Sequence, residues 1–356
     1  MHLDLGGEAQ GGKRIEGWIP VRFIFPGHHR RYPEGAIKWL DCSGVSFMDS
    51  FFLQSIDKLR STAHPRREAL TRMQAIRRLP SDGQHFLPAG LIFQISRCGS
   101  TAVANALRAY SGAQVVSEAW PVTQLIWEEV LSQHKSPRCA LDYPPLDLLN
   151  RTAWALAACR TGRPEKLILK LTSSSLLGLI ALRSLWPQAP TILIIRQPLE
   201  VLCANMPHHQ ALNRGNLSRE QILLNVQKDR FSRSQTLPKE DYLARVLRNY
   251  LEIAYKNIDL FDLVIDHSQI SVESLKAVTR IFGLGSVSNS DLKSLLRWDA
   301  KSPLPKHYED DSLLKRESAS VAARRAVDRW TIGRYNMLLD ISRRKKKLVE
   351  VGEQSV

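Results

Sequence analysis

Leu91-Ile92-Phe93-Gln94-Ile95-Ser96-Arg97-Cys98-Gly99-Ser100-Thr101-Ala102-Val103 is the segment whose reading decides the fold. An apolar, β-leaning run meets a short Ser/Gly/Thr turn that carries one cation. Ala102 to Arg108 then reads as a helix. Strand, tight turn and helix make a geometry that binds phosphate, because turn and first-turn N–H groups converge where the helix dipole favours negative charge. Ser100 and Thr101 add hydroxyls, and Arg97 adds a planar cation suited to oxyanions. The full GxxxxGK[ST] pattern is absent. On these residues alone the segment is equally a strand-to-helix connection of any α/β protein, with Gly99 serving only the turn.

Outward from this segment the pattern alternates strand and helix, which implies a parallel sheet covered by helices. Strands are expected at 91–95, 114–117, 167–171, 191–195 and 263–266. Helices are expected at about 101–110, 121–133, 147–159, from the serines at 173–175 to Trp186, and at 199–205. Beyond them, 219–260 reads as mostly helical, 271–282 and 290–296 as two more helices, and 312–345 as one basic helix. Thr191-Ile192-Leu193-Ile194-Ile195 is almost wholly apolar, the mark of a strand buried on both faces. Upstream, residues 1–16 read as disordered, Trp18–Phe25 as a strand, and a helix runs through Ile56 and Leu59. Residues 1–88 therefore form an appended N-terminal layer of unread role, 89–300 an α/β domain, and 301–356 a basic C-terminal segment with a helix.

The 356 residues carry 50 Lys and Arg against 35 Asp and Glu, a formal net charge of +15, which favours anionic partners. Part of the excess is the run Arg343-Arg344-Lys345-Lys346-Lys347, read as a solvated tail. Basic residues interleaved with aromatics, as in single-strand binders, are not evident, so nucleic acid is not expected as a partner. No apolar run approaches the about 18 residues of a membrane span, and the N-terminus lacks the features of a signal peptide. Five scattered cysteines (42, 98, 139, 159, 203) suit free thiols in a reducing cytosol, so a cytoplasmic location is expected. His28-His29 has no carboxylate or cysteine at ligand spacing, and no metal is expected.

Four ionisable residues fall at the carboxyl ends of four expected strands: Arg97, Glu118, Lys170 and Arg196. In open α/β sheets the ligand crevice lies at that edge. Three cations there would neutralise a multiply phosphorylated ligand, and one carboxylate would remove a proton from an acceptor. Each has a plainer reading: Glu118 as a surface acid or cap, Lys170 as a strand-end charge, Arg196 as the partner of Glu200 one turn on.

These residues carry a family resemblance. Ser96-Arg97-Cys98-Gly99-Ser100-Thr101 resembles the 5′-phosphosulfate loop of sulfotransferases that use 3′-phosphoadenosine-5′-phosphosulfate (PAPS). Ile194-Ile195-Arg196-Gln197-Pro198-Leu199-Glu200-Val201 is similar to their 3′-phosphate segment, a strand ending in Arg-x-Pro before a helix. Arg97, Glu118, Lys170 and Arg196 match four positions of the protein-tyrosine sulfotransferases and their bacterial relatives. Ala300-Lys301-Ser302-Pro303 and Leu314-Lys315-Arg316 are similar in character to the basic segment that closes over the donor.

The resemblance implies a P-loop-type three-layer α/β/α fold with a mostly parallel central sheet, and PAPS as donor. It assigns Glu118 as general base, with Arg97 and Lys170 stabilising charge on the sulfuryl oxygens and the leaving phosphate. Backbone amides of Cys98, Gly99, Ser100 and Thr101, with the Ser100 and Thr101 hydroxyls, would cradle the 5′-phosphate, and Arg196, Lys315 and Arg316 would meet the rest of the donor. Three departures stand out: Ser96 replaces a leading proline, Cys98 a first hydroxyl, and Ala204 a serine that serves the 3′-phosphate, with Asn205 its nearest substitute. The expected function is sulfuryl transfer to a hydroxyl of a small-molecule acceptor. The competing readings are a nucleotide phosphotransferase of the related fold, disfavoured by the missing Walker lysine and magnesium carboxylate, and a degenerate fold serving as a basic binding module.

Overall fold

The structure, a computed structural model, describes residues 17–26, 29–79, 86–110, 112–133, 144–163, 165–207, 217–225, 237–300 and 306–352. The reading of 1–16, the thiol of Cys139 and Lys301-Ser302-Pro303 lie outside the described residues. In chain order, β1 (Trp18–Ile24), β2 (Ala36–Asp41), α1 (Phe52–Ser61) and β3 (Glu68–Arg72) precede β4 (Gly90–Gln94) and α2 (Ser100–Leu107). Then come β5 (Ala113–Ser117), α3 (Trp120–Gln133), α4 (Pro145–Ala158), β6 (Lys166–Lys170) and α5 (Leu179–Leu185). They are followed by β7 (Thr191–Ile195), α6 (Pro198–Asn205), α7 (Leu217–Leu224), α8 (Lys239–Lys256) and β8 (Leu263–Asp266). The last helices are α9 (Val272–Ile281), α10 (Asn289–Leu296), α11 (Ser312–Glu317), α12 (Val321–Trp330) and α13 (Ile332–Gly352). Five strands form a parallel sheet in the order β5-β6-β4-β7-β8, flanked by helices: a three-layer α/β fold. The first three strands form a separate antiparallel sheet, β1-β2-β3.

By compactness the chain divides into two units, and the division falls inside β4. The first comprises residues 1–91, 107–171 and 178–189. Its antiparallel sheet buries Phe23, Ile37 and Trp39 on one face and Ile19 and Leu40 on the other. Gln124 of α3 accepts from the Phe23 N–H (3.0 Å) and donates to the Phe23 carbonyl (2.9 Å), so both backbone groups of this residue on β1 are satisfied. Trp39 donates its indole N–H to Thr71 on β3 at 2.8 Å. That strand, Glu-Ala-Leu-Thr-Arg, is absent from the sequence reading because its five residues carry little apolar signal. Strands β5 and β6 pair in parallel with Ser117 opposite Lys170. Arg108, just after α2, donates to the Phe47 carbonyl (2.9 Å) and the Ser117 hydroxyl (3.0 Å). Burial pulls this guanidinium down to about 10, against the opposing charge of Asp49.

The second unit comprises residues 92–106, 172–177 and 190–356. Every residue of β7 is buried, as its apolar run requires, and β8 pairs with it in parallel, Ile195 opposite Asp266. Phe93 and Phe261 meet edge to face at 5.8 Å. Pro198 opens α6 where its missing N–H costs nothing, and the Gln197 side chain accepts from the Glu200 N–H at 3.0 Å. The expected single helix over 312–345 is three helices instead. Ser320 caps α12 by accepting from the Ala323 N–H, and Thr331 leaves helical geometry before α13 begins. Both breaks let α13 turn back over β8, where Tyr335 donates to Asp266 (2.8 Å) and Ser342 to the Val264 carbonyl (2.7 Å). No described helix is long and apolar enough to cross a membrane.

Candidate functional site

Backbone strain marks the strand ends. Among the described residues, four that are not glycine hold a positive φ: Ser96 (79°), Arg97 (49°), Glu118 (54°) and Asn225 (49°). Three of these four lie within three residues of the end of β4 or β5. Left-handed geometry costs an ordinary residue about 1–2 kcal/mol, so it persists where the surroundings enforce it, and such positions cluster at functional sites. Ser96 explains one departure from the family pattern: a proline, held near −65°, cannot adopt its φ.

In the second unit the turn between β4 and α2 opens on a cavity of about 640 Å³. Arg97, Gly99 and Thr101 line it, with Arg196, Ala204, His267 and Lys315. Gly99 is required here: at φ +83° a Cβ would also meet Ile270 at 2.6 Å and the His267 ring at 2.9 Å. Cys98 is buried and does not line the cavity, and the Ser100 hydroxyl donates to Gln94 Oε1 at 2.6 Å, turned toward the strand. Asn205 donates to the Val201 carbonyl (2.9 Å) and accepts from the Ser96 hydroxyl (3.2 Å). It therefore props the turn rather than replacing the serine missing at Ala204.

Arg196 is the hub of the cavity's charges. Its Nε donates to Glu200 (2.6 Å), one terminal nitrogen to the Arg97 carbonyl (3.2 Å), and the other to Asp311 (3.2 Å) and the Ser312 hydroxyl (2.9 Å). Burial alone would lower its pKa, but the Glu200 hydrogen bond and charge raise it instead. Arg316 reaches the other oxygen of Glu200 at 3.0 Å, and Lys315 lies 2.5 Å from Asp311. Both the plainer reading of Arg196, as partner of Glu200, and its position at the cavity hold at once. Burial, then the Arg196 charge, keep the His267 imidazole below its usual range, and Tyr308 Oη lies 3.3 Å from its Nε2.

In the first unit, Glu118 follows β5 and its N–H donates to the Lys170 carbonyl at 2.7 Å, extending the ladder by one residue. The Lys170 ammonium donates to the Glu118 carboxylate and sits 5.2 Å over the Phe51 ring. Lys170 is 1% exposed and Glu118 29%, so the pair presents its carboxylate end to solvent. Trp120, two residues on, is exposed, while Trp127 is core.

Sequence reasoning found the strand-end residues and missed the groups that meet them. His267 directly follows β8, so the strand-end rule that singled out Arg97 and Arg196 also reaches it. Asp311 and the wall made by Trp298 stacked on His307 at 4.5 Å carry no sequence signal. Among the described residues no group of histidine, cysteine and carboxylate side chains is arranged to hold a metal.

No family model matches the sequence, and no curated protein matches it. Solved structures do. A sulfotransferase from Alicyclobacillus acidocaldarius is 14% identical, over 69% of this chain and 94% of its own, at a TM-score of 0.37. The sulfotransferase domain of the Synechococcus PCC 7002 olefin synthase is 12% identical, over 71% and 90%, at 0.36. A sulfotransferase from Mycobacterium tuberculosis H37Rv is 15% identical, over 72% and 80%, at 0.34. All three are sulfotransferases.

Proposed function

We propose that this chain is a sulfotransferase that moves a sulfuryl group from PAPS to a hydroxyl of a small-molecule acceptor. The observation that carries the reading is the strained turn after β4, which opens on a cavity holding Arg97, Arg196 and Lys315. A cavity of this size lies in the about 300–1,000 Å³ range of small-ligand sites. Gly99 and the N–H groups up to Thr101 suit a 5′-phosphosulfate at the start of α2, where the helix dipole adds to Arg97. Arg196 has the planar fork that grips a phosphate in two places, and Lys315 and Arg316 add charge beside it.

When bound, the donor supplies an activated sulfuryl group on a phosphate leaving group. The acceptor oxygen forms the new S–O bond as the bond to the phosphate breaks, and Glu118 takes the proton the hydroxyl loses. Lys170 and Arg97 offset charge on the sulfuryl oxygens and on the departing adenosine 3′,5′-bisphosphate. A sulfuryl group carries less charge than a phosphoryl group, so the step needs no metal clamp. The test is transfer of label from [35S]PAPS to a panel of phenols, sugars and aliphatic alcohols. Labelled product that disappears in Glu118→Gln supports the reading; no transfer to any acceptor, with the donor bound, contradicts it.

A further inference from the structure

The cavity that this reading assigns to a polyanion is not electropositive as it stands. Its lining holds Arg97, Arg196, Lys306 and Lys315, but also Asp299, Glu309, Asp310 and Asp311. One of these carboxylates sits where a ligand phosphate would. Asp311 accepts from a terminal nitrogen of Arg196 at 3.2 Å and from Lys315 at 2.5 Å, so a single side chain neutralises two of the cations assigned to the donor.

A guanidinium has five N–H donors. In Arg196 the Nε is committed to Glu200, one terminal nitrogen gives a bond to the Arg97 carbonyl, and the other serves Asp311 and Ser312. A phosphate that grips this fork in two places must take over the nitrogen that Asp311 and Ser312 hold. The two acidic partners of Arg196 differ in how readily they yield. Glu200 is 5% exposed and is also held by Arg316, so it stays. Asp311 is 47% exposed and lies just before the six-residue helix α11, to which it gives no side-chain cap. Its departure costs no cap, only the ion pairs to Arg196 and Lys315 that the incoming anion would replace. Asp310 is anchored differently, accepting from the backbone and hydroxyl of Ser312, so it need not follow.

We infer that Asp311 is an internal stand-in for the ligand phosphate, an autoinhibitory carboxylate that blocks Arg196 and Lys315 until an anion able to replace it arrives. The inference rests on the proposed donor site and adds its control. A monoanion gains too little on the fork to displace a carboxylate that already satisfies two cations. A phosphate monoester dianion brings twice the charge and more acceptor oxygens, and it wins. Asp311 thereby weakens every anion that uses this fork, and only one strong enough to satisfy both cations occupies it.

The experiment is calorimetric titration of wild type, Asp311→Asn and Asp311→Ser with adenosine 3′,5′-bisphosphate, adenosine 5′-phosphate and inorganic pyrophosphate. Thermal unfolding of each variant controls for folding. A charge-assisted hydrogen bond is worth about 1.5–3 kcal/mol, so either substitution should tighten the bisphosphate and pyrophosphate roughly tenfold or more. Adenosine 5′-phosphate, which does not need the Arg196 fork, should gain less, so the margin by which the bisphosphate outbinds it should widen in both variants. If both folded variants bind the bisphosphate no tighter than wild type, Asp311 is a structural prop and the inference falls, while the donor site stands. If they tighten pyrophosphate but no protein prefers the nucleotide, the donor reading falls and the role of Asp311 stands.

Discussion

Two charged regions of this protein are built on opposite principles. At the cavity of the second unit, three of the assigned cations share acidic partners: Arg196 with Glu200 and Asp311, Arg316 with Glu200, Lys315 with Asp311. In the first unit a single buried lysine, Lys170, is set on Glu118 beneath the Phe51 ring. This network tolerates the loss of Arg196, because Glu200 keeps Arg316 and Asp311 keeps Lys315. A pair with a buried member does not: removing Glu118 strips the buried Lys170 ammonium of this counter-charge, a loss of about 3–5 kcal/mol for buried pairs. The contrast suits the proposed tasks. A site that takes up and releases a polyanion needs partners that can change, while a base needs one carboxylate held in place.

The largest expected effect is on turnover. Glu118→Gln should lower kcat by about 10²–10⁴-fold, the usual contribution of a general base, and leave adenosine bisphosphate affinity unchanged. It should also destabilise the fold by stripping Lys170 of its counter-charge. The double variant Glu118→Gln/Lys170→Met removes the buried ion pair altogether and should recover most of that stability without activity. If the double variant is no more stable than Glu118→Gln alone, Lys170 is not held by this pair.

Next in size is Arg196→Ala. Losing the fork should weaken the bisphosphate by about 10–100-fold, as for one strong charge-assisted contact. Thermal unfolding should change less than in Glu118→Ala, since Glu200 keeps Arg316 and Asp311 keeps Lys315. Equal destabilisation by the two substitutions would erase the contrast between network and pair. Gly99→Ala should follow, losing about 1–2 kcal/mol to left-handed strain alone and more from contact with Ile270. The bisphosphate affinity should fall with it.

The smallest expected effect is on pH. The folded pKa of His267 is depressed, so the unfolded chain binds the extra proton first. Its contribution to stability is present above the ordinary histidine pKa and is lost as pH falls through the folded value. Chemical denaturation between pH 7.5 and 5 should show this loss, and His267→Gln should flatten it. The carboxylates with lowered pKa, Asp310 and Asp311, act in the same sense but only at more acid pH.

How much of this was legible beforehand follows from where each signal lies in the chain. Thr191–Ile195 and Leu263–Asp266 are strands at the expected residues because a strand buried on both faces must be apolar throughout. β3 is short and half exposed, and its partner on β2 supplies what its sequence does not. The C-terminal helix breaks were hidden because Ser320 and Thr331 are tolerated in helices and act as boundaries only through local hydrogen bonds. At the site, strand ends gave away Arg97, Glu118, Lys170 and Arg196. Asp311 meets Arg196 across 115 positions of sequence, in a stretch whose acidic residues read as ordinary surface.

The most direct test of the central claim is calorimetric titration of the wild-type protein with adenosine 3′,5′-bisphosphate and, in parallel, with ATP and magnesium. Repeating both on Arg196→Ala assigns the site. The account predicts bisphosphate binding that is lost or strongly weakened in the variant, with no comparable binding of ATP. Binding of ATP-magnesium alone, or of neither nucleotide, contradicts it.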